Sequence, residues 1–408
     1  MDTLIFNARV MQPGEGIVGT WLRISDGKIA EFGTLLPDTC CEQENRIDAG
    51  GRLLTPGLID VHTHGICEYA YEGGPEILQK ALRELARFGT TCVLPTLYEL
   101  VTHERLDQLA ELSAALDDVD TVAVPGFHFE GPFVAHSGAA VKMLAGDMGL
   151  LESLVEATGG RLAAMSVSPE TENILPVIER LHAMRIPAFM THTRASVEQT
   201  EAAIEAGARH ATHFYDVFFV PEEKDPGVRP VGAVETILAD RRCTVDFICD
   251  GVHVHPMAVK AALAAKGPEG VILITDSNIG AGMPAGVYQT PMAGPVRVSP
   301  DNGARLDDPN HKYYGALAGS ALTMDRGISN LLDWLDLPDS QVWAMGTRNP
   351  ASLVGLPDKG VIREGADADL VLWQDELIEE QKGTKKRKVE YRALQTWVDG
   401  RSVYSAMG

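Results

Sequence analysis

Positive charge is in short supply in this chain of 408 residues: 35 lysines and arginines stand against 57 aspartates and glutamates, a net charge of −22. So acidic a surface is poorly suited to a nucleic-acid backbone or an anionic membrane, and neither is expected as a partner. The one dense basic run, Lys385-Lys386-Arg387-Lys388, reads as a solvated turn rather than a targeting signal. Long apolar runs are missing too, since none reaches the roughly 18 residues of a membrane span. Met1-Asp2-Thr3-Leu4 shows neither the basic nor the apolar region of a secretory leader. The six cysteines (Cys40, Cys41, Cys67, Cys92, Cys243 and Cys249) include no CxxC pair, and free buried thiols suit a reducing compartment. Together these absences lead us to expect a soluble, cytoplasmic protein. Solenoid repeats and low-complexity tracts are likewise absent. Gly280-Ala281-Gly282 lacks the Lys-Ser/Thr that would follow in a phosphate loop, so it reads as a flexible loop over a site.

What is present is enough apolar material for a full core: 45% of residues are hydrophobic and 23% charged, which excludes wholesale disorder. Residues 1–54 hold short alternating segments (Thr3-Leu4-Ile5-Phe6, Trp21-Leu22-Arg23-Ile24, Lys28-Ile29-Ala30) separated by glycine and Asp-Gly turns, the pattern of small hairpins. The pattern returns in Ala368–Trp373 and Gln395–Gly400. Residues 1–54 and 348–408 are therefore expected to form one composite β domain, a small β-sandwich, around a central domain at 55–347.

In that central stretch eight apolar segments alternate with amphipathic helical ones. The expected strands are Leu58–Val61, Thr91–Pro95, Val122–Phe129, Leu162–Val167, Ala188–Thr191, His210–Phe214, Thr244–Cys249 and Val271–Thr275. Helices are expected at Glu76–Phe88, Glu104–Leu116 and Glu172–Met184, and Ser196 with Gln199 forms a capping box that opens Val197–Ala206 before Gly207. This alternation predicts an α/β fold, a (β/α)8 TIM barrel with the small β domain attached.

In such a barrel the C-terminal strand ends share one mouth, where residues distant in sequence converge. His62 and His64 end the first strand, on the same face and about 7 Å apart along it. Glu130 follows the third, His192 the fifth, His213 the sixth, Asp250 the seventh and Asp276 the eighth. Neutral imidazoles with two or three carboxylates suit a divalent transition metal, Zn²⁺ first, with Fe²⁺, Mn²⁺ or Co²⁺ as alternatives, better than Mg²⁺ or Ca²⁺. Such an ion lowers the pKa of bound water to about 7 and polarises a carbonyl. A carboxylate beside that water can take its proton and return it to a leaving amine, and Asp276 is the candidate. By strand alternation His128 and His210 point away from the mouth. His103, His182 and His311 are expected at the surface, and His136 and His255 are candidate substrate contacts.

These residues resemble the amidohydrolase superfamily and, within it, the N-acetylglucosamine-6-phosphate deacetylase family. The likeness rests on Pro56-Gly57-Leu58-Ile59-Asp60-Val61-His62-Thr63-His64-Gly65, His128-Phe129-Glu130-Gly131-Pro132-Phe133, Thr191-His192-Thr193 and Ala211-Thr212-His213. Further on it rests on Asp250-Gly251-Val252-His253, Thr275-Asp276, Gly282-Met283-Pro284, Leu317–Met324 and Gly365–Val371. The resemblance implies that Glu130, His192 and His213 hold one metal, that His62 and His64 add a second bridged through Glu130, and that Asp276 is the acid/base. It further implies that metal-bound hydroxide deacetylates an N-acetyl amino sugar phosphate, a small-molecule substrate, with one or two metals per subunit of a homodimer.

At the substrate end the chain departs from the family pattern. Gly138-Ala139 is followed by Ala140 where relatives carry His. Asp216-Val217 stand where they carry a phosphate-contacting Asn-Ala. Lys224, with Arg229 close behind, replaces an Arg that reaches a neighbouring subunit's phosphate. His253 keeps the remaining phosphate contact. A carboxylate at Asp216 would repel a dianionic phosphate, at a cost of about 1 kcal/mol or more. The alternative reading keeps the chemistry and changes the substrate to a non-phosphorylated N-acyl amine or a cyclic amide, read by Asp216 and the loop around His136.

Overall fold

The computed structural model describes residues 2–36, 44–137, 141–223, 225–290, 294–299, 303–380 and 387–406, without the side chains of residues 379, 380, 387 and 388. Cys40, Cys41, Ala140, Lys224, Lys385 and Lys386 lie outside these described residues.

Eight parallel strands form the central sheet: Leu58–Thr63, Thr90–Leu97, Phe127–Glu130, Leu162–Val167, Ala188–Met190, His210–Ala211, Thr244–Ile248 and Val271–Ile274, each paired with the next in chain order. We refer to them as the first to eighth barrel strands. Their residues are almost wholly buried, as expected of parallel strands covered on both faces. The eighth closes back on the first through the Asp276 amide, which donates to the His62 carbonyl at 2.8 Å. Asp60 adds to this seam by accepting from the Thr275 hydroxyl at 2.5 Å. Gly57 precedes the first strand for a steric reason: a Cβ there would lie 2.0 Å from Thr91 Oγ1 on the second.

Helices intervene as expected, including Pro75–Leu85, Leu106–Ala114, Ile174–Ala183 and Val197–Ala206. The capping box is present: the Ser196 side chain accepts from the Gln199 amide, and the Gln199 side chain accepts from the Ser196 amide at 2.9 Å. The barrel core and the inward helix faces form one continuous apolar cluster.

Strands from both ends of the chain share a second eight-stranded sheet, in which Leu53–Pro56 lies between Thr3–Gln12 and Leu370–Glu380. The Ala368 amide donates to the Gly27 carbonyl and Lys28 bridges Asp367, so two parts of this sheet face each other. Between them lies a core that includes Ile5, Leu22, Ile24, Ile29, Leu54, Leu370, Leu372 and Trp397. Arg387 and Lys388, from the basic run, begin the strand Arg387–Val398 rather than a turn.

After the eighth barrel strand comes a three-stranded antiparallel sheet: Gly286–Thr290, Gly294–Ser299 and Gly303–Leu306. The glycine segment leading into it is pinned rather than loose. Ala281 is buried, its carbonyl accepts from the Cys67 amide, and the Gly280 amide donates to the Cys67 carbonyl. The expectation of a flexible loop at Gly280–Gly282 is corrected accordingly. Among the described residues, no helix is long and apolar enough to cross a membrane.

Candidate active site

Three of the expected site residues reach the barrel mouth through unusual backbone turns: His192, His213 and Asp276 have φ of 48°, 35° and 47°. Left-handed conformation is uncommon for non-glycine residues, and it turns each side chain off the end of its strand toward the others. The result is a cluster of His62, His64, Glu130, His192, His213 and Asp276 gathered from five strands, every member buried or nearly so.

The two oxygens of Glu130 divide the histidines into two pairs. Its Oε1 lies 3.0 Å from His192 Nε2 and 3.2 Å from His213 Nε2, and its Oε2 lies 3.3 Å from His64 Nε2 and 3.8 Å from His62 Nε2. Asp276 Oδ1 sits 3.1 Å from His64 Nε2 and 3.6 Å from His62 Nε2. Two sets, His62–Glu130–His213 and His62–His64–Asp276, bring one ligand atom from each member within 4.8 Å of the others. His192 belongs to neither set, although it is close to Glu130.

Each ring is fixed from behind through Nδ1. His64 donates to the Thr96 carbonyl at 3.2 Å, His192 to the His136 carbonyl at 2.9 Å and His213 to the Asp216 carbonyl at 3.2 Å, while His62 Nδ1 meets the Thr212 hydroxyl at 2.8 Å. A carbonyl can only accept, so these Nδ1 atoms carry hydrogen. Nε2 of each ring then faces a carboxylate oxygen at 3.0 to 3.8 Å, a separation that either a proton on the ring or a shared metal cation would join. The buried His62 Nε2 has no hydrogen-bond partner among the described residues. The donor set thus fits a divalent metal of borderline softness.

The titration behaviour of the cluster has the same origin. Burial disfavours a charged His64, but the hydrogen bonds of Asp276 and Glu130 outweigh it and raise its pKa well above the ordinary histidine value. Against the same burial, Glu130 brings His213 up to about 9. Glu130 itself is held well below the carboxylate range, because hydrogen bonds from the histidines overcome burial that would raise it. Asp276 is lowered for the same reason, chiefly by His64.

A cavity of about 320 Å³ opens beside the cluster. Its lining includes His64, Glu130, His192, His213 and Asp276, the polar Tyr98, Glu99, Asp216, His253 and Asn278, and an apolar share from Val217, Ile248, Leu306 and Leu317. Asp216 therefore faces the cavity, and burial pushes its carboxyl up to about 6. His253 is there too, held by Asp250, whose Oδ2 is 2.8 Å from its Nδ1. His311, expected at the surface, instead lines the cavity, placed there by the turn that follows the three-stranded sheet.

The remaining candidates sit elsewhere. The His136 ring turns toward Glu170, 3.5 Å from its Nε2, and packs on Phe219, so only its carbonyl serves the cluster. Arg229 is exposed and paired with Glu235 at 2.6 Å. His255 is exposed and caps the helix Pro256–Lys266. His128 and His210 are buried within the barrel, meeting Ser166 and Asp246.

Tyr98 and Glu99 were not anticipated. They follow the second barrel strand, and Tyr98 packs edge-on against His64 with ring centroids 5.1 Å apart. Half-buried Glu72 holds them in place by accepting from the amides of Tyr98, Glu99 and Leu100. A tyrosine directly after an apolar strand was the available signal.

Comparison with known proteins bears on the fold and the family. Residues 53–403 match the model of the amidohydrolase family. The chain is 31% identical to an N-acetylglucosamine-6-phosphate deacetylase of Bacillus subtilis (strain 168), over 90% of this chain and 92% of that protein. It is 30% identical to an N-acetylgalactosamine-6-phosphate deacetylase of Shewanella sp. (strain ANA-3), over 98% and 95%. The crystal structure of N-acetylglucosamine-6-phosphate deacetylase from Pasteurella multocida superposes with a TM-score of 0.82 at 22% identity, covering 98% of this chain and 99% of that one. With its barrel and a family match spanning most of its length, the chain belongs to the amidohydrolase family.

Proposed function

We propose that this chain is a metal-dependent amide hydrolase that removes the acetyl group from an N-acetyl amino sugar, the class whose 6-phosphates name its relatives. The observation that carries the reading is the division of the histidines between the two oxygens of Glu130, with Asp276 facing the same cavity. Glu130, His192 and His213 would hold one divalent ion, and His62 and His64 a second with Glu130 reaching both; zinc is the first choice, with iron, manganese or cobalt suited to the same donors. When bound, such an ion supplies Lewis acidity, polarising the acyl oxygen and acidifying water.

The chain's own residues do the rest. Asp276, whose Oδ1 lies 3.1 Å from His64 Nε2 at the edge of the cavity, takes a proton from the attacking water. As the C–N bond breaks, it delivers that proton to the amine nitrogen, and acetate and a free amine leave. The apolar walls limit water around the reacting centre. For the metal-loaded Asp276→Asn variant we expect kcat to fall by about 10²- to 10⁴-fold while the Glu130–His192–His213 ion stays bound. Wild-type turnover in that variant would sink the assignment.

The working unit in this reading is a homodimer. The exposed Phe219, Val220, Val228 and Val231 lie close together in sequence, on the segment that carries Arg229, and would be covered by a second copy. A monomer mass by light scattering would overturn this. Cytoplasmic placement is supported by the buried free thiols of Cys67, Cys92, Cys243 and Cys249.

A further inference from the structure

The cavity wall next to His213 carries an acid that no lysine or arginine among the described residues lining the cavity matches. Asp216 Oδ2 is shielded from solvent and has no hydrogen-bond partner among the described residues, while the Asp216 carbonyl is already used by His213 Nδ1. The backbone there is held in costly conformations: Tyr215 has φ 83° and Val217, a β-branched residue, φ 57°. A site of this kind is shaped for a ligand, because a buried acceptor without a donor is otherwise expensive.

Among the described residues lining the cavity there is no lysine or arginine. Of the imidazoles, His253 already has Asp250 as its counter-charge, and His311 accepts from the Tyr313 amide through Nδ1. Glu99 adds another carboxylate to the lining, and Val217, Ile248, Leu306 and Leu317 contribute apolar surface. Within one copy, a dianionic group would meet Asp216 with no lysine or arginine among the described lining residues to neutralise it. A hydroxyl or an ammonium group would satisfy it.

We infer that Asp216 is a specificity-determining residue that accepts a hydrogen bond from a hydroxyl or ammonium group of the substrate and rejects a phosphate at that position. The physiological substrate is then an uncharged or cationic N-acyl amine. This rests on the amide-hydrolysis reading above and replaces only the phosphate carried by the relatives' names.

The test uses the full-length zinc-loaded protein and three probes: N-acetylglucosamine, its 6-phosphate, and monoacetylated 1,4-diaminobutane. Acetate release should give a kcat/KM for the neutral or the cationic probe at least tenfold above that for the phosphate. Asp216→Asn should narrow this ratio at least tenfold, mainly through KM. Calorimetric titration of the zinc-loaded Asp276→Asn protein with the same probes should rank them in the same order. A wild-type preference for the phosphate, in turnover or in binding, overturns the inference, as does an unchanged ratio in Asp216→Asn. If none of the probes releases acetate, the amide-hydrolysis reading fails, and the binding order alone decides the role of Asp216.

Discussion

Every imidazole in the cluster is aimed from behind by a hydroxyl or a backbone carbonyl, and at the scale of single residues this is where function is most exposed to mutation. Thr212 is the clearest case: it is fully buried, and its hydroxyl holds His62 Nδ1 at 2.8 Å. Thr212→Val keeps the volume but frees the ring, and loss of such an outer partner typically lowers metal affinity about 10- to 100-fold. Competition against a chelator should show that loss with the fold intact by circular dichroism, and unchanged affinity would remove Thr212 from the site's support. His62, His64, Glu130, His192, His213 and Asp276 were legible in the sequence because each is a polar residue closing an apolar run. Thr212 and Thr96 were not, since a hydroxyl just past a strand and a carbonyl within one gain meaning only from the neighbour across the barrel.

Strand ends and helix starts, more than strand middles, separate what was expected of the elements from what they do. The third strand begins at Phe127 rather than Val122 because Pro125 and Gly126 interrupt the run; a Cβ on Gly126 would lie 2.8 Å from the Arg161 carbonyl oxygen. The sixth ends at Ala211 rather than Phe214 because the chain must turn left-handed at His213 to bring its ring to Glu130. Helix starts matter for stability through Asp325, in the first turn of Met324–Trp334. It is buried and accepts from the Thr323 hydroxyl at 2.5 Å and the Arg326 amide at 2.8 Å. Burial pushes its pKa up to about 6 from an ordinary value of 3.8. The folded state therefore keeps a proton that the unfolded state releases between about pH 4 and 6. The contribution of Asp325 to stability is full below pH 4 and is lost as pH rises through 6. Asn can keep both hydrogen bonds without ionising. Asp325→Asn should thus gain on the wild type by about 2 kcal/mol between pH 4 and pH 7 in urea unfolding, and parallel pH profiles would refute this.

Over the whole molecule, the barrel was readable because its eight strands are near-continuous apolar runs, and the terminal sheet because its hairpins repeat one pattern at both ends. The small sheet Gly286–Leu306 was missed: its first strand is exposed or half-buried, and among the described residues its buried apolar core is limited to Val296, Val298, Ala304 and Leu306, too little apolar signal to mark strands. The global architecture also makes metal binding a property of the entire barrel. The six cluster residues come from the first, third, fifth, sixth and eighth strands, and the seam between the eighth and the first carries Asp60, Thr275 and the His62 carbonyl directly beneath them. An ion shared by those residues exists only when the barrel is closed, so its binding free energy adds to folding stability. Returning zinc to chelator-treated protein at about a thousand times its dissociation constant should stabilise the fold by about 4 kcal/mol, raising the thermal midpoint by several degrees. The gain should shrink in Thr212→Val, where the fold is kept and the affinity is weakened, and in acid, where the imidazoles must give up protons to bind. A midpoint unmoved by zinc at neutral pH would separate the cluster from metal binding altogether and leave Glu130 and Asp276 as carboxylates neutralised only by protonated histidine.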